Sequence, residues 1–195
     1  MKTLHVIVTV YIDWLPLLDL INLFKRQSNP GWLMTIAHDG PAPDDLRTFM
    51  NNQTDHRITF YEHPKNLGSW GFPLRRLMLE KLLADPNDFV LITNHDNMYV
   101  PVFVEYMMKE TVPDVGIVFC DTIHSHQQYN ILTTDLKVSS VDMGSGIVRV
   151  DVAKAIGIRH DVYYADGLYF EECDYYCAEH QLRHVKISKP LFIHC

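Results

Sequence analysis

The sequence has few cysteines, no long hydrophobic run and no excess of basic residues, and each deficit argues against a class of protein. Its cysteines, at positions 120, 173, 177 and 195, are too few and too scattered for a disulfide framework in 195 residues. The longest N-terminal apolar run, Leu4 to Ile12, is too short to span a bilayer and lacks the basic start of a signal peptide. We therefore expect a cytoplasmic protein with free thiols and no transmembrane segment.

The charge balance is acidic, with 17 Lys and Arg against 24 Asp and Glu and a net charge of -7. No stripe of basic residues is present to neutralise a nucleic-acid backbone, so we expect no nucleic-acid partner. One small anion is still compatible with this balance if a divalent cation offsets its charge locally. The 11 histidines are many for this length and make metal ligation or a pH-sensitive charge plausible.

Apolar runs and helical stripes alternate along the chain, which predicts an α/β fold with a mostly parallel central sheet flanked by helices. Expected strands are 4–11, 32–37, 58–61, 89–92, 115–120, 146–150, 184–188 and 191–194. Expected helices are centred on 17–24, 46–50, 74–82, 101–109, 152–156 and 166–180. The segment 122–136 has no clear period and is expected to be a loop or a hairpin. With no linker or repeat, residues 1–195 are expected to form a single domain.

A cluster of polar side chains, Asn94-His95-Asp96-Asn97, follows the apolar run Phe89 to Ile92. In open α/β sheets ligands bind at the carboxyl ends of strands, where this cluster is expected to lie. Carboxylate and amide oxygens suit a hard divalent cation. We therefore predict that Asp96 holds a metal ion, which in turn holds a phosphate. The alternative is that the asparagines only form a turn.

A second group of metal-capable residues, Cys173, Cys177, His180 and His184, has the spacing of one helix face. Four ligands from one helix cannot easily close the tetrahedron that zinc prefers. A partly buried helix face is the favoured interpretation, with a zinc site as the alternative.

Several short motifs occur in an order that resembles the GT-A fold glycosyltransferases, which transfer sugars from nucleotide-sugar donors. The motifs are Asp39 after the second strand, Asn66-Leu67-Gly68 with Arg75 following, Asn94-His95-Asp96-Asn97, Gly144-Ser145-Gly146, Ala165-Asp166-Gly167 and Pro190-Leu191-Phe192-Ile193-His194. The resemblance covers most of the chain. It implies a Rossmann-like nucleotide-binding half (1–100), an acceptor and catalytic half (101–195) and an inverting type of transfer.

For the donor, the resemblance implies a variant of the family's Asp-any-Asp metal motif, here Asn94-His95-Asp96. The implied metal ligands are Asp96, Asn97 and His194, with Mn²⁺ (or Mg²⁺) as cofactor, since imidazole favours the transition metal. A packed or frayed terminal histidine is the alternative for His194. The candidate nucleotide contacts are Thr9, Tyr11, Asp39, Lys65, Asn66, Arg75, Asn94 and His95. Asp39 could instead be a turn residue, and Arg75 a solvated one.

For the acceptor, the resemblance places the catalytic base at Asp166, which opens the last helix. An N-cap is the alternative role for Asp166. Glu171 and Glu172 are the alternative bases, although both fit a solvated helix face. Candidate substrate-binding residues are Asp142, Gly144, Ser145 and Trp70, with burial in the core as the commoner fate of tryptophan.

The sequence thus predicts a metal-dependent, hexosyltransferase-like enzyme that moves a sugar from a nucleotide-diphosphate donor, expected to be a UDP-sugar, to an acceptor hydroxyl on a saccharide. Two alternatives stay open at this level. One is a metal-dependent nucleotidyltransferase or phosphohydrolase, which usually gathers more carboxylates around two metals. The other is a non-catalytic sugar-nucleotide binder with the same fold.

Overall fold

A nine-stranded sheet is the centre of the computed structural model, which describes residues 2–195. The strands are β1 (Leu4–Val10), β2 (Trp32–His38), β3 (Ile58–Glu62), β4 (Phe89–Asn94), β5 (Met98–Tyr99), β6 (Val115–His124), β7 (Asn130–Leu132), β8 (Gly146–Arg149) and β9 (Arg183–His194). The helices are α1 (Pro16–Lys25), α2 (Asp44–Asn51), α3 (Phe72–Lys81), α4 (Phe103–Lys109), α5 (Val150–Ile156) and α6 (Ala165–Glu179). Within this part of the chain no helix is long and apolar enough to cross a membrane.

The strands run in the order β3-β2-β1-β4-β8-β6-β9-β5, with β7 paired to β6. Parallel pairing joins β1, β2, β3 and β4, and it also joins β6 to β9. Because β8 is antiparallel to both β4 and β6, six strands point one way and β5, β7 and β8 point the other. The predicted α/β fold with a mostly parallel sheet is confirmed.

Helices cover both faces of the sheet, which explains why the central strands are apolar throughout rather than alternating. All seven residues of β1 are buried. Val6 and Val8 face a core formed with α1, α2 and α4, whereas Ile7 faces a second core formed with α3, α5 and α6. The apolar residues that each helix repeats at three- and four-residue spacing supply the other side of each core.

The register of the parallel strands brings the ends of three of them together at one edge of the sheet. Thr9 pairs with both Ala37 and Asn94, and Val10 pairs with His38. The chain therefore leaves β1, β2 and β4 at the same level, and the segments that follow them are neighbours. The candidate site lies at this edge.

Two elements differ from the sequence prediction, and a third decides between its alternatives. The last two predicted strands form one 12-residue strand, β9, whose pairing with β6 shifts register near Cys120 and Asp121. Proline at position 190 does not end it, because a bulge in the register accommodates the missing donor. The two-residue strand β5 was not predicted, since two residues show no period. In the segment 122–136, the hairpin alternative is correct, because β7 pairs with β6.

Candidate functional site

A cleft of about 700 Å³ opens where β1, β2 and β4 end. Its lining combines the ends of these strands with the segment that precedes α3: Thr9, Val10, Tyr11, Asp39, Gly68, Ser69, Trp70, Gly71, Asn94, His95 and Asp96. We call it the strand-end cleft. Most of the residues that the sequence proposed as nucleotide contacts or metal ligands line this cleft.

Asp39 is buried in the wall of the strand-end cleft, and both of its carboxylate oxygens are occupied. Oδ1 accepts a hydrogen bond from the backbone N–H of Leu67 at 2.7 Å, and Oδ2 accepts one from Gly68 at 3.1 Å. The side chain of Asn66 donates to the Asp39 carbonyl at 3.3 Å. Asp39 therefore fixes the start of the segment that carries Trp70.

The segment Gly68-Ser69-Trp70-Gly71 is a left-handed turn, in which all four residues have positive φ, from 48° to 79°. Such a conformation is unfavourable for Ser69 and Trp70, so it persists only where the surroundings impose it. Here the Asp39 carboxylate holds its first residue and the Gly71 N–H donates to the Gly68 carbonyl at 3.0 Å. The turn leaves Trp70 66% exposed at the rim of the cleft.

The turn after β4 meets the end of β9. Met98 pairs with Ile193 in an antiparallel ladder, which places Asn97 and Asp96 beside His194 and Cys195. The side-chain oxygen Oδ1 of Asn97 accepts from the Cys195 N–H at 3.5 Å. Burial, and after it the Asp96 carboxylate, raises the pKa of the Cys195 thiol. Residues nearly 100 positions apart thus converge next to Asp96, which lines the strand-end cleft.

Asp96 and His194 have the atoms that a metal ion would need at this point. Asp96 Oδ1 and His194 Nδ1 are buried, and neither makes a hydrogen bond within residues 2–195. His194 Nδ1 lies 3.2 Å from Asp142 Oδ2, without the angles of a hydrogen bond. The same residues contain no group of three or more His, Cys, Asp or Glu side chains arranged to hold a metal. The donor set therefore fits a cation that also takes ligands from a bound phosphate or from water, not a closed structural site.

A second cavity, of about 680 Å³, lies beside the strand-end cleft and shares Trp70 and Asn94 with it. We call it the Asp166 cavity. Its lining comes from distant parts of the chain: Trp70, Phe72, Arg75, Asn94, Thr122, His124, Gln127, Leu132, Thr133, Thr134, Ser139, Ser140, Val141, Asp142, Tyr163, Tyr164, Asp166, Gly167 and His194.

Asp166 lies in the first turn of α6, but the N-cap is Tyr164, so the predicted alternative of an N-cap is wrong. Its Oδ2 accepts from the Met143 N–H at 3.2 Å, and its Oδ1 has no hydrogen-bond partner. Burial, together with the nearby Asp142 carboxylate, raises the pKa of Asp166 to about 6. A carboxyl group with this pKa is largely ionised at neutral pH and basic enough to accept a proton.

A buried arginine, Arg75, connects the two cavities. Its guanidinium donates to Thr9 Oγ1 at 3.4 Å and to the Asn94 side-chain oxygen, and lies 3.6 Å from Asp166 Oδ1. The charge also lies over the Phe72 ring, 4.8 Å from its centroid. Arg75 is therefore not a solvated helix residue, and its positive charge opposes the rise in the Asp166 pKa.

Other proposed contacts lie outside both cavities or have their polar atoms occupied. Lys65 is exposed in the loop before the left-handed turn, and Asn66 lines a smaller cavity of about 330 Å³ on the far side of Asp39. Asn97 is buried and donates to Thr93 Oγ1 at 3.0 Å, so its side chain stabilises the turn after β4. His95 lines the strand-end cleft but is bonded to the Asp13 carbonyl.

Gly144 and Ser145 are packed behind Asp142 rather than exposed to the Asp166 cavity. Asp142 Oδ1 accepts from the Gly144 N–H at 2.8 Å, and the Ser145 hydroxyl donates to the Asp142 carbonyl at 2.7 Å. A Cβ at position 144 would lie 2.7 Å from the Tyr99 hydroxyl. These residues position Asp142, which does line the cavity together with Asp166.

The two alternative bases are both occupied outside the Asp166 cavity. Glu171 Oε1 accepts from the Val138 N–H at 2.8 Å, and Glu172 lies 2.8 Å from His160. Glu171 thereby attaches α6 to the segment that forms one wall of the cavity. Asp166 is the acid of α6 that faces the cavity.

The zinc alternative for Cys173, Cys177, His180 and His184 is wrong. His184 belongs to β9 rather than α6, and its ring bonds Asp174 at 2.6 Å. Both cysteines are buried in the core between α6 and the sheet, and burial raises their thiol pKa values. The favoured interpretation, a partly buried helix face, is correct for the two cysteines.

Sequence reasoning missed several residues of the Asp166 cavity, notably His124, Tyr163 and Tyr164. His124 ends β6 beside His194, with ring centroids 4.4 Å apart. Asn94 was chosen as a polar residue that follows an apolar strand. His124 would meet the same criterion if the predicted strand were extended beyond Cys120. Tyr163 and Tyr164 lie in an irregular segment and carry no local signal.

No protein-family model and no curated protein sequence matches the chain. Solved structures do match it. Residues 1–349 of S. aureus TarS superimpose with a TM-score of 0.73 at 13% identity, over 99% of this chain and 60% of that one. The mannosyltransferase PcManGT from Pyrobaculum calidifontis, solved with GDP-Man and Mn²⁺, gives 0.70 at 15% identity, over 98% and 56%. The chain has the fold of these glycosyltransferases.

The likeness at 12–15% identity concerns the fold, and the GT-A-like fold expected from the sequence is confirmed at that level. TarS has also been solved in complexes with UDP and with UDP-GlcNAc. The present chain spans about 60% of the length of the TarS 1–349 structures and 56% of PcManGT. The matching part contains both the strand-end cleft and the Asp166 cavity.

Proposed function

We propose that this chain is a metal-dependent glycosyltransferase that binds a nucleotide-diphosphate sugar in the strand-end cleft and an acceptor hydroxyl in the Asp166 cavity. The observation that carries the proposal is the contact between the two cavities at Asn94 and Trp70. Asp96 lines one cavity and Asp166 the other. A sugar that is attached to a diphosphate near Asp96 would extend past Asn94 toward the cavity that contains Asp166.

In the strand-end cleft, the exposed ring of Tyr11 would pack against the nucleobase, and the Thr9 hydroxyl would be a hydrogen-bonding group for the ribose. Asp39 acts indirectly, because its carboxylate holds the turn that forms the cleft wall. We propose UDP as the nucleotide. That TarS binds UDP and PcManGT binds GDP-Man supports a nucleoside diphosphate in this cleft.

Asp96 and His194 are the proposed metal ligands, since both have a buried atom without a hydrogen-bond partner where the turn between β4 and β5 lies beside the end of β9. Mn²⁺ bound there would supply positive charge to the leaving diphosphate. The complex of PcManGT with Mn²⁺ supports this choice of metal. The side-chain oxygen of Asn94 accepts a hydrogen bond from the Arg75 guanidinium and is therefore less available to a metal ion. Asn94 contributes to the site through this contact with Arg75.

Asp166 is the proposed catalytic base. Its Oδ1 accepts no hydrogen bond, and its pKa of about 6 leaves it ionised at neutral pH. As the acceptor oxygen forms its bond to the anomeric carbon and the bond to the diphosphate breaks, the hydroxyl proton passes to Asp166. Attack from the face opposite the leaving group gives inversion. Arg75 holds the ionised carboxylate in place.

A two-metal nucleotidyltransferase or phosphohydrolase is less well supported by the same residues. Such enzymes hold paired cations with several carboxylates. Within residues 2–195 no group of three or more acidic or imidazole side chains is arranged for metal binding. A nucleotidyltransferase would release pyrophosphate, whereas the proposed enzyme releases a nucleoside diphosphate, so product analysis separates the two.

The direct test is a thermal-shift and calorimetry panel of UDP, GDP, ADP and CDP with and without Mn²⁺. We expect one nucleoside diphosphate to stabilise the protein only when Mn²⁺ is present. Asp96→Ala should lower that affinity by about tenfold or more, because a ligand is lost. Asp44→Ala is the matched control, since this carboxylate is 98% exposed on α2. Equal Mn²⁺-dependent binding by wild type and Asp96→Ala would contradict the metal assignment.

A further inference from the structure

The chemistry of the Asp166 cavity limits the acceptor that it can hold. Its wall carries the side-chain hydroxyl groups of Thr133, Ser139 and Ser140 and the amide of Gln127, together with the buried hydroxyls of Thr122 and Thr134, which hydrogen-bond each other at 3.2 Å. These groups donate and accept hydrogen bonds without adding charge. A cavity of about 680 Å³ with this lining is suited to a ligand rich in hydroxyl groups.

The charged groups of the Asp166 cavity are unfavourable for an anion. Asp142 and Asp166 lie near enough for the Asp142 charge to raise the pKa of Asp166. The only Arg or Lys side chain in the lining is Arg75, which is 4% exposed and has its three guanidinium nitrogens directed at Thr9, Asn94 and Asp166. A phosphate group entering the cavity would thus meet two carboxylates and the imidazoles of His124 and His194, but no free Lys or Arg side chain.

The lysine that contacts the hydroxyl wall is also occupied. Lys186 donates to the Thr134 carbonyl at 2.6 Å and lies 3.0 Å from Asp121 Oδ1. Asp121 therefore neutralises the Lys186 charge, which is not available to a ligand in the cavity. The metal position proposed at Asp96 and His194 serves the donor diphosphate and leaves no comparable charge for an acceptor phosphate.

Two exposed aromatic side chains form the rim. Trp70 is 66% exposed and Tyr163 is 83% exposed, with their ring centroids 6.5 Å apart at an interplanar angle of 74°. Large aromatic side chains are normally buried, so two that meet at the mouth of a cavity suggest a ligand that covers them. The C–H faces of a sugar ring pack well against such surfaces.

The left-handed turn gives this placement a structural basis. Trp70 has φ of 53°, a conformation that costs free energy in a non-glycine residue, and Asp39 helps to hold the turn in it. A relaxed right-handed turn would direct the indole elsewhere. The fold thus tolerates local strain while presenting Trp70 at the junction of the two cavities.

We infer that the Asp166 cavity selects an uncharged saccharide acceptor, whose ring packs against Trp70 and Tyr163, over a phosphorylated or otherwise anionic acceptor. This inference rests on the proposed function for the role of the cavity, but the preference for neutral sugars is measurable as binding alone. It assigns Tyr163 as a second contact and identifies Trp70 as a determinant of acceptor specificity.

The test is an array that pairs neutral oligosaccharides with the same sugars carrying phosphate, sulfate or carboxylate groups, probed with the labelled 195-residue chain. We expect binding to neutral members, and binding at least about tenfold weaker to their anionic partners. Stronger binding to anionic members, or no binding to any neutral member at about millimolar sugar, would overturn the inference. Arrays are run with and without UDP and Mn²⁺.

Variants test the aromatic contacts. Trp70→Ala and Tyr163→Ala should each weaken neutral-sugar binding about tenfold, and Trp70→Phe should retain most of it, since an aromatic face remains. Tyr175→Ala, which removes an exposed tyrosine (67%) from α6 outside the cavity, should bind as wild type does. Unchanged binding by a folded Tyr163→Ala protein would exclude its assignment, even if Trp70→Ala failed to fold.

The two proposals fail separately. A protein that binds neutral sugars on the array but no nucleoside diphosphate in calorimetry would contradict the proposed function and support the saccharide site. One that binds UDP with Mn²⁺ but prefers anionic sugars would contradict only the acceptor inference. The nucleotide measurement uses the same protein preparation, so a misfolded sample cannot mimic either result.

Discussion

The strand-end cleft and the Asp166 cavity are adjacent, yet they are built in different ways. The cleft is formed by segments that directly follow three neighbouring parallel strands, whose register fixes their relative positions. The Asp166 cavity gathers the hairpin of β6 and β7, the start of α6 and the end of β9. The first is a consequence of sheet geometry, and the second depends on long-range packing. Their buried carboxylates differ too. Both oxygens of Asp39 in the cleft accept hydrogen bonds, whereas Asp166 in the cavity has one oxygen without a hydrogen bond and a raised pKa.

The largest effect should come from Asp166→Asn, which separates the chemistry of the cavity from binding in the cleft. If Asp166 accepts the acceptor proton, kcat should fall by about 10²- to 10⁴-fold while UDP affinity with Mn²⁺ stays within about twofold. Glu171→Gln is the matched control on the same helix, and it should retain most activity because Glu171 binds the Val138 N–H. The opposite ranking of the two variants would move the base to Glu171.

The same substitution should increase stability. The folded-state pKa of Asp166, about 6, lies above that of an unfolded aspartate, about 3.9, so wild type loses stability as pH rises from about 4 to 6. Asp166→Asn removes this loss and should be more stable at pH 8 by roughly 1–3 kcal/mol, with little difference near pH 4. Urea denaturation at the two pH values measures both. Equal stability at pH 8 would indicate that the carboxylate is not destabilised by burial.

The pH dependence of activity should show a moderate effect. Protonation of Asp166 removes the base, so kcat/KM should fall about tenfold per pH unit below about 6 and level off above it. The neighbouring Asp142 charge raises the pKa of Asp166, so Asp142→Asn should move this limb to lower pH. A rate profile in the two proteins between pH 4.5 and about 8 checks the shift. An unmoved limb would assign the titration to another group.

The sequence predicts the strand-end cleft better than the Asp166 cavity, because the cleft follows from sheet geometry and the cavity from long-range packing. The polar cluster at Asn94 to Asn97 follows an apolar strand, so its position at the sheet edge could be inferred from local pattern alone. The roles of the individual residues in this cluster could not be inferred from local pattern. Arg75 occupies the Asn94 oxygen and Cys195 the Asn97 oxygen, and both partners are distant in sequence.

The properties of the Asp166 cavity depend on contacts that local sequence pattern does not reveal. Asp166 was expected from its place in an ordered set of motifs, but its raised pKa requires the nearby Asp142 and its burial beneath the cavity wall. Gly167 allows that burial, because a Cβ there would collide with the backbone of Val138. Tyr163 has no periodic context that marks it, so only the folded chain places it near Trp70.

Asp39 gives the smallest expected effect and the sharpest test of how the two regions are connected. If its carboxylate acts by holding Leu67 and Gly68, Asp39→Asn loses one acceptor and should lower stability by about 1–2 kcal/mol without nucleotide. UDP affinity would then fall only a few-fold, and neutral-sugar binding would weaken with it, because Trp70 moves. If Asp39 instead contacts the base or ribose, UDP affinity would fall while stability and sugar binding stay unchanged. Asp45→Asn, an exposed acid that accepts from the Trp14 ring nitrogen at 3.2 Å, is the control.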